Sequence, residues 1–142
     1  MKHITMNTVV STVNKLIREN EEDLNKIDFV VGMSRGGLIP AALIATRLNK
    51  PLVAIYIDKQ DNIYLDRDEW LSKKNILFVD DICRTGLTMS LAKEVIKGKL
   101  PKSISVLTLF NVTSITKQST PDISKDTKVD IILPWDHDRM ER

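Results

Sequence analysis

Residues 76–90, ILFVDDICRTGLTMS, carry an apolar run into two adjacent carboxylates and then a glycine flanked by threonines. Binding a phosphate takes several convergent N–H donors and a backbone that can be closely approached. Thr85, Gly86, Leu87 and Thr88 offer both at a helix start, with the threonine hydroxyls as added donors. Asp80 and Asp81 repel an anion, so their partner is a pair of hydroxyls, a divalent cation, or both, a few ångströms from the phosphate. A sugar phosphate fits that layout. Residues 34–37, SRGG, also follow an apolar run, and the planar fork of Arg35 suits phosphate oxygens. Alone, TGLT reads as a capped turn, and aspartates after a strand read as turn residues. Two such loops, each after a strand, point to a binding site. Neither is a P-loop or a dinucleotide fingerprint, because the chain has no GxxxxGK[ST] and no GxGxxG after a strand.

The elements that must hold these loops follow from hydrophobic periodicity. Val9, Val13, Leu16 and Ile17 share one face of a helix that fades in ENEEDL. IDFVVGM, SRGG, LIPAALIATRLN and LVAIYI then read as strand, turn, helix, strand. NILFVDD, ICRTGL, TMSLAKEVIKGKL and SISVLTLF repeat the pattern, so the expected class is α/β, a mainly parallel sheet flanked by helices. In such sheets ligands bind beyond the carboxyl ends of the strands, where both loops fall. DKQDNIYLDRDEWLSKK is a polar excursion with a brief strand at Ile63, Tyr64 and Leu65. NVTSITKQSTPDISKDTK has no apolar period, and VDIILPWDHDRMER is a last strand with a polar tail.

At 142 residues, with 42% hydrophobic and 28% charged, the chain is expected to be one soluble globular domain over residues 1–142. No apolar stretch is long enough to cross a bilayer. The N-terminal residues show helical spacing instead of a secretory leader pattern, so a cytoplasmic protein is expected. Cys83 is the only cysteine, which leaves no internal disulfide or cysteine-rich metal site. A net charge of +2 with interspersed signs gives no argument for a nucleic-acid partner. His3 and His137 sit in polar termini, Cys83 is expected to be packing, and no zinc spacing links them.

ILFVDDICRTGLT resembles the phosphoribosyl-pyrophosphate (PRPP) signature of type I phosphoribosyltransferases. VVGMSRGGLIPAALIATRLN resembles the pyrophosphate loop and following helix of the bacterial xanthine-guanine members, and LPWD resembles their C-terminal segment. The resemblance implies the family fold, with a small hood made by the two chain ends. It implies that Asp80 and Asp81 bind the ribose hydroxyls and, through Asp81, hold Mg²⁺, while Arg84, Thr85, Gly86, Leu87 and Thr88 cradle the 5-phosphate. Ser34, Arg35 and Gly36 then meet the pyrophosphate, in a loop that often carries a non-proline cis peptide, with Asp80, Asp81 and Arg35 as the catalytic set. The implied reaction is phosphoribosyl transfer from PRPP to a nitrogenous base, first a 6-oxopurine, by a homodimer or homotetramer acting in purine salvage.

Three positions depart from the purine-using pattern. Arg84 stands where relatives carry an acid, and Asp130 where they stack an aromatic residue on the base. Val112 stands where they place a lysine, with Lys117 five residues further on. The expected base contacts are Arg84, Asp130, Ile131 and Trp135. Residues 58–73, with Lys59, Arg67 and Asp68, match the region of the family's mobile catalytic loop. A non-catalytic module that binds PRPP or a nucleotide is the competing reading.

Overall fold

The computed structural model describes residues 1–136. His137 lies outside the described residues, and His3 is exposed on a short N-terminal strand.

The chain runs β1 (Lys2–His3), α1 (Met6–Glu19), α2 (Glu21–Leu24), β2 (Phe29–Met33), α3 (Leu38–Leu48), β3 (Leu52–Ile57), β4 (Ile63–Leu65), β5 (Asn75–Cys83), α4 (Leu87–Lys97), β6 (Ser103–Val112), β7 (Ile123–Thr127) and β8 (Ile131–Ile132). Six strands form one sheet in the order β4-β3-β2-β5-β6-β7, parallel throughout except for the antiparallel β3–β4 pair. β1 and β8 form a separate parallel pair, which sets Lys2 and His3 beside Ile131 and Ile132.

Thr5 starts α1 by accepting the Thr8 backbone N–H on its hydroxyl, and the helix buries Val9, Thr12, Val13 and Leu16. That face joins Ala41, Ile44 and Ala45 of α3 on one side of the sheet, over Leu77, Val79, Leu107 and Leu109. α4 covers the other side with Met89, Ala92 and Ile96, over Val31, Ile76, Phe78 and Val106. The central strands are nearly continuous apolar runs because both faces are covered.

The placement of the helices fixes the site. From β2 the chain crosses on one face to β3, and from β5 it crosses on the opposite face to β6, so the connections diverge between two adjacent parallel strands. That divergence is the topological switch point at which a crevice opens beyond the strand ends. SRGG leaves β2 on one side of it and RTG leaves β5 on the other.

Two parts of the chain differ from the periodicity. Ile123–Thr127 is a sixth strand, parallel to β6, in a stretch without an apolar period. It is an edge strand in which only Ile123 is buried, so half-buried alternation never develops. Residues 68–70 form a single helical turn against the sheet, with Leu71 fully buried behind it. There Arg67 lies over the Trp70 ring, 5.3 Å from its centroid, and Lys99 pairs with Asp68 at 3.0 Å.

Candidate active site

A cleft of about 470 Å³ opens at the switch point. Its walls are Ser34, Arg35 and Gly36 on one side and Asp80 to Thr88 on the other, with Ile57 and Asp61 from the β3–β4 hairpin at the rim.

β5 does not stop at the aspartates. Its register with β2 ends at Gly32↔Val79, but it continues along β6 through Asp80↔Thr108, Ile82↔Phe110 and Cys83↔Asn111. One edge of the Asp80–Cys83 segment is therefore held by β6, and the SRGG loop packs against the other. Both aspartates line the cleft. Asp81 is 7% exposed; its Oδ1 accepts the Ile82 N–H at 2.7 Å, and its Oδ2 accepts the Trp135 indole N–H at 2.9 Å. Asp80 Oδ1 accepts the Asp81 N–H at 2.8 Å.

The glycines of SRGG are set by this packing. A Cβ on Gly36 would stand 2.0 Å from Asp81 Oδ2 and 2.8 Å from Trp135 Nε1, and one on Gly37 would stand 2.9 Å from Asp80 Cα. The two loops therefore interlock, each glycine against one aspartate. The Ser34–Arg35 peptide is cis, and Arg35 is exposed beside it.

At the far wall Gly86 begins α4 with φ +83°, a conformation that favours glycine, and a Cβ there would meet Ser119 O at 2.2 Å. Thr85 Oγ1 accepts the Leu87 N–H at 3.2 Å, closing the turn into the helix. Thr88 is exposed at the cleft. The first-turn N–H groups of a helix have no acceptor inside it, which makes this end attractive to an anion.

Arg84 and Asp130, two of the departures from the purine pattern, form a pair. Arg84 Nε donates to Asp130 Oδ1 at 3.1 Å and Oδ2 at 3.3 Å, and its Nη2 donates to the Ile131 carbonyl at 3.3 Å. Arg84 also lines the cleft, whereas Asp130 and Ile131 reach it through the arginine. Trp135 packs, partly buried, against the core and turns its N–H to Asp81. The Cys83 thiol is buried, and that burial pushes its pKa up, with Lys117 opposing and Asp80 reinforcing the shift.

Residues 113–122 were not readable as part of the site. They fold back over the base of the Arg84–Gly86 loop: Gln118 N–H donates to Thr85 O at 2.7 Å, and the Lys117 ammonium donates to the carbonyls of Val112, Cys83 and Arg84. Nothing in the residue types signals this, because the acceptors are main-chain carbonyls.

The Phosphoribosyl transferase domain model matches residues 7–139, and the chain belongs to that family. The orotate phosphoribosyltransferase of Sulfurisphaera tokodaii is 35% identical over 106 residues, which is 70% of this chain and 51% of that protein. The chain thus spans about half the length of that relative. The xanthine-guanine phosphoribosyltransferase of Idiomarina loihiensis is 27% identical over 118 residues, covering 75% of this chain and 70% of that one. The crystal structure of a purine phosphoribosyltransferase from Pyrococcus horikoshii Ot3 superimposes with a TM-score of 0.82 at 28% identity, over 94% of this chain and 92% of that one.

Proposed function

We propose that this protein transfers 5-phosphoribose from PRPP to a nitrogenous base, a 6-oxopurine first, with release of pyrophosphate. The observation that carries the reading is the interlock of the SRGG loop with the Asp80–Asp81 pair, facing a glycine-started helix across one cleft. It sets the Thr85–Thr88 turn and the Ser34–Gly36 loop, each suited to an anion, around one cleft with the two aspartates.

In this reading Thr85, Gly86, Leu87 and Thr88 hold the 5-phosphate, Asp80 and Asp81 accept hydrogen bonds from the ribose hydroxyls, and Arg35 with Ser34 and Gly36 holds the pyrophosphate. The bond from ribose C1 to the pyrophosphate oxygen breaks, the bond from C1 to a base nitrogen forms, and the proton on that nitrogen is lost. Positioning the reactants and neutralising the leaving group's charge lower the barrier.

Two carboxylates suit a magnesium ion. Among the described residues no group of three or more His, Cys, Asp or Glu is arranged to hold a metal alone. Mg²⁺ keeps several waters and takes substrate oxygens beside one or two carboxylates, so an aspartate pair is enough to hold it. Asp81, with Asp80, is the residue we assign to it, and the bound ion would neutralise charge on the pyrophosphate.

The 6-oxopurine assignment is supported by the purine-using relatives, and the orotate relative makes orotate its first competitor. The base would meet Arg84, Asp130 and Ile131. We place the protein in the cytoplasm, as a homodimer or homotetramer; among the described residues no helix is long and apolar enough to cross a membrane. The Arg84–Asp130 pair favours one second reading, a PRPP-binding regulator without turnover, because it joins the groups assigned to the base. The test is nucleotide formation from PRPP and Mg²⁺ across guanine, xanthine, hypoxanthine, adenine, uracil and orotate. A nucleotide from a 6-oxopurine supports the proposal, one from orotate alone replaces the acceptor, and PRPP binding with no product from any base supports the regulator.

A further inference from the structure

We infer that Lys117 is a positioning residue for the phosphate-binding loop, fixing its backbone from behind, and that it is not a base contact. This rests on the reading of Thr85–Thr88 as the 5-phosphate site. A lysine ammonium has three N–H donors and no acceptor. Here Nζ donates to the carbonyls of Val112 (2.6 Å), Cys83 (3.3 Å) and Arg84, so all three donors are taken by main chain and none is left for a base.

The carbonyls involved are consecutive. Lys117 holds those of Cys83 and Arg84, while the N–H groups of Gln118 and Ser119 hold that of Thr85 at 2.7 and 3.4 Å. In a trans peptide the N–H points opposite to the C=O of the same plane. Pinning the carbonyls of residues 83, 84 and 85 toward the 113–122 strap therefore turns the N–H groups of Arg84, Thr85 and Gly86 to the other side. Residues 84–88 line the cleft, and Ser119 lies against Gly86, so the strap forms the back wall of the loop. Successive N–H groups held in one direction make an anion-binding concavity. The cation also offsets the negative ends of the carbonyl dipoles behind a site for negative charge.

Lys117→Met removes the ammonium and keeps most of the stem, and Lys117→Arg restores a cation with several donors. Two measurements apply to both variants and wild type: calorimetric affinity for PRPP with Mg²⁺, and amide hydrogen exchange at residues 84–88 without ligand. In Lys117→Met, PRPP affinity is expected to fall by about tenfold and exchange at residues 84–86 to speed up by a similar factor, with Lys117→Arg recovering most of both. In turnover the KM for PRPP rises while the KM for the base stays within about twofold, a split that general destabilisation does not produce. Should Lys117→Met fail to fold, Lys117→Gln carries the same comparison. Unchanged exchange and PRPP affinity overturn the inference, as does a rise confined to the base KM. Exchange is read without PRPP, so wild type that binds no PRPP refutes the transferase reading separately, and the exchange result still decides whether Lys117 anchors the loop.

Discussion

Gly36→Ala tests the interlock of the two loops. The new Cβ would sit 2.0 Å from Asp81 Oδ2 and 3.0 Å from Asp81 Cγ, with Trp135 Nε1 at 2.8 Å closing the other side. Ordinary carbon–oxygen contact begins near 3.5 Å, so the carboxylate must retreat by roughly 1.5 Å. That displacement breaks the 2.9 Å bond from the Trp135 indole N–H. Asp81 is buried, so no water readily replaces the donor, and losing a hydrogen bond to a charged group costs about 2 kcal/mol. For a chain of this size that loss lowers the Tm by roughly 6 °C. Urea unfolding followed by tryptophan fluorescence gives the stability, and calorimetry with PRPP and Mg²⁺ gives the site, where affinity falls because Asp81 has moved. Trp135→Phe removes the same hydrogen bond without adding bulk, so Gly36→Ala should destabilise the Trp135→Phe variant by clearly less than it destabilises wild type. Full additivity, or a Gly36→Ala protein with wild-type stability and PRPP affinity, would show that the two loops do not interlock through Asp81.

Gly86→Ala places a side chain at φ +83° and against the Ser119 backbone, so it should lower stability by more than about 2 kcal/mol in urea titrations and abolish PRPP binding. Arg84→Gln should cost less than about 1 kcal/mol, since the Arg84 and Asp130 side chains are 36% and 31% exposed, yet shift the base KM in steady-state assays. The raised pKa of the buried Cys83 thiol predicts slow alkylation by iodoacetamide at pH 8 in the native protein and fast alkylation in urea. The unfolded thiol loses its proton first, so this group's contribution to stability is complete below about pH 8.5 and declines as pH rises above it. Pairwise denaturation curves of wild type and Cys83→Ala from pH 7 to 10 should therefore converge as pH rises.

Much of this architecture could be read from residue order because its central strands are covered on both faces. Phe29–Met33 and Ile76–Val79 are apolar runs with a glycine turn following each, which is enough to place two βα crossovers and the loops between them. Other features depend on tertiary partners. β1 and β8 are two residues each and exist because they pair with one another. β7 is a polar edge strand with one buried residue. The residue types of Arg84 and Asp130 marked a departure from the purine pattern, but their pairing joins positions 46 apart and carries no local signal. The role of Gly36 follows from Asp81 and Trp135 filling the space its side chain would need, which only the folded chain brings together.

In the proposed reaction, phosphoribosyl transfer depends on the paired aspartates between the two loops. The most direct measurement is the rate of pyrophosphate release from PRPP, with Mg²⁺ and the base that supports turnover, in wild type and in Asp80→Asn/Asp81→Asn. Release in wild type is expected to depend on the base and to fall by at least about a hundredfold in the double variant, whose folded state is checked by its circular dichroism spectrum. Release at the wild-type rate from the folded double variant would contradict the proposal, and so would PRPP binding without base-dependent release in wild type.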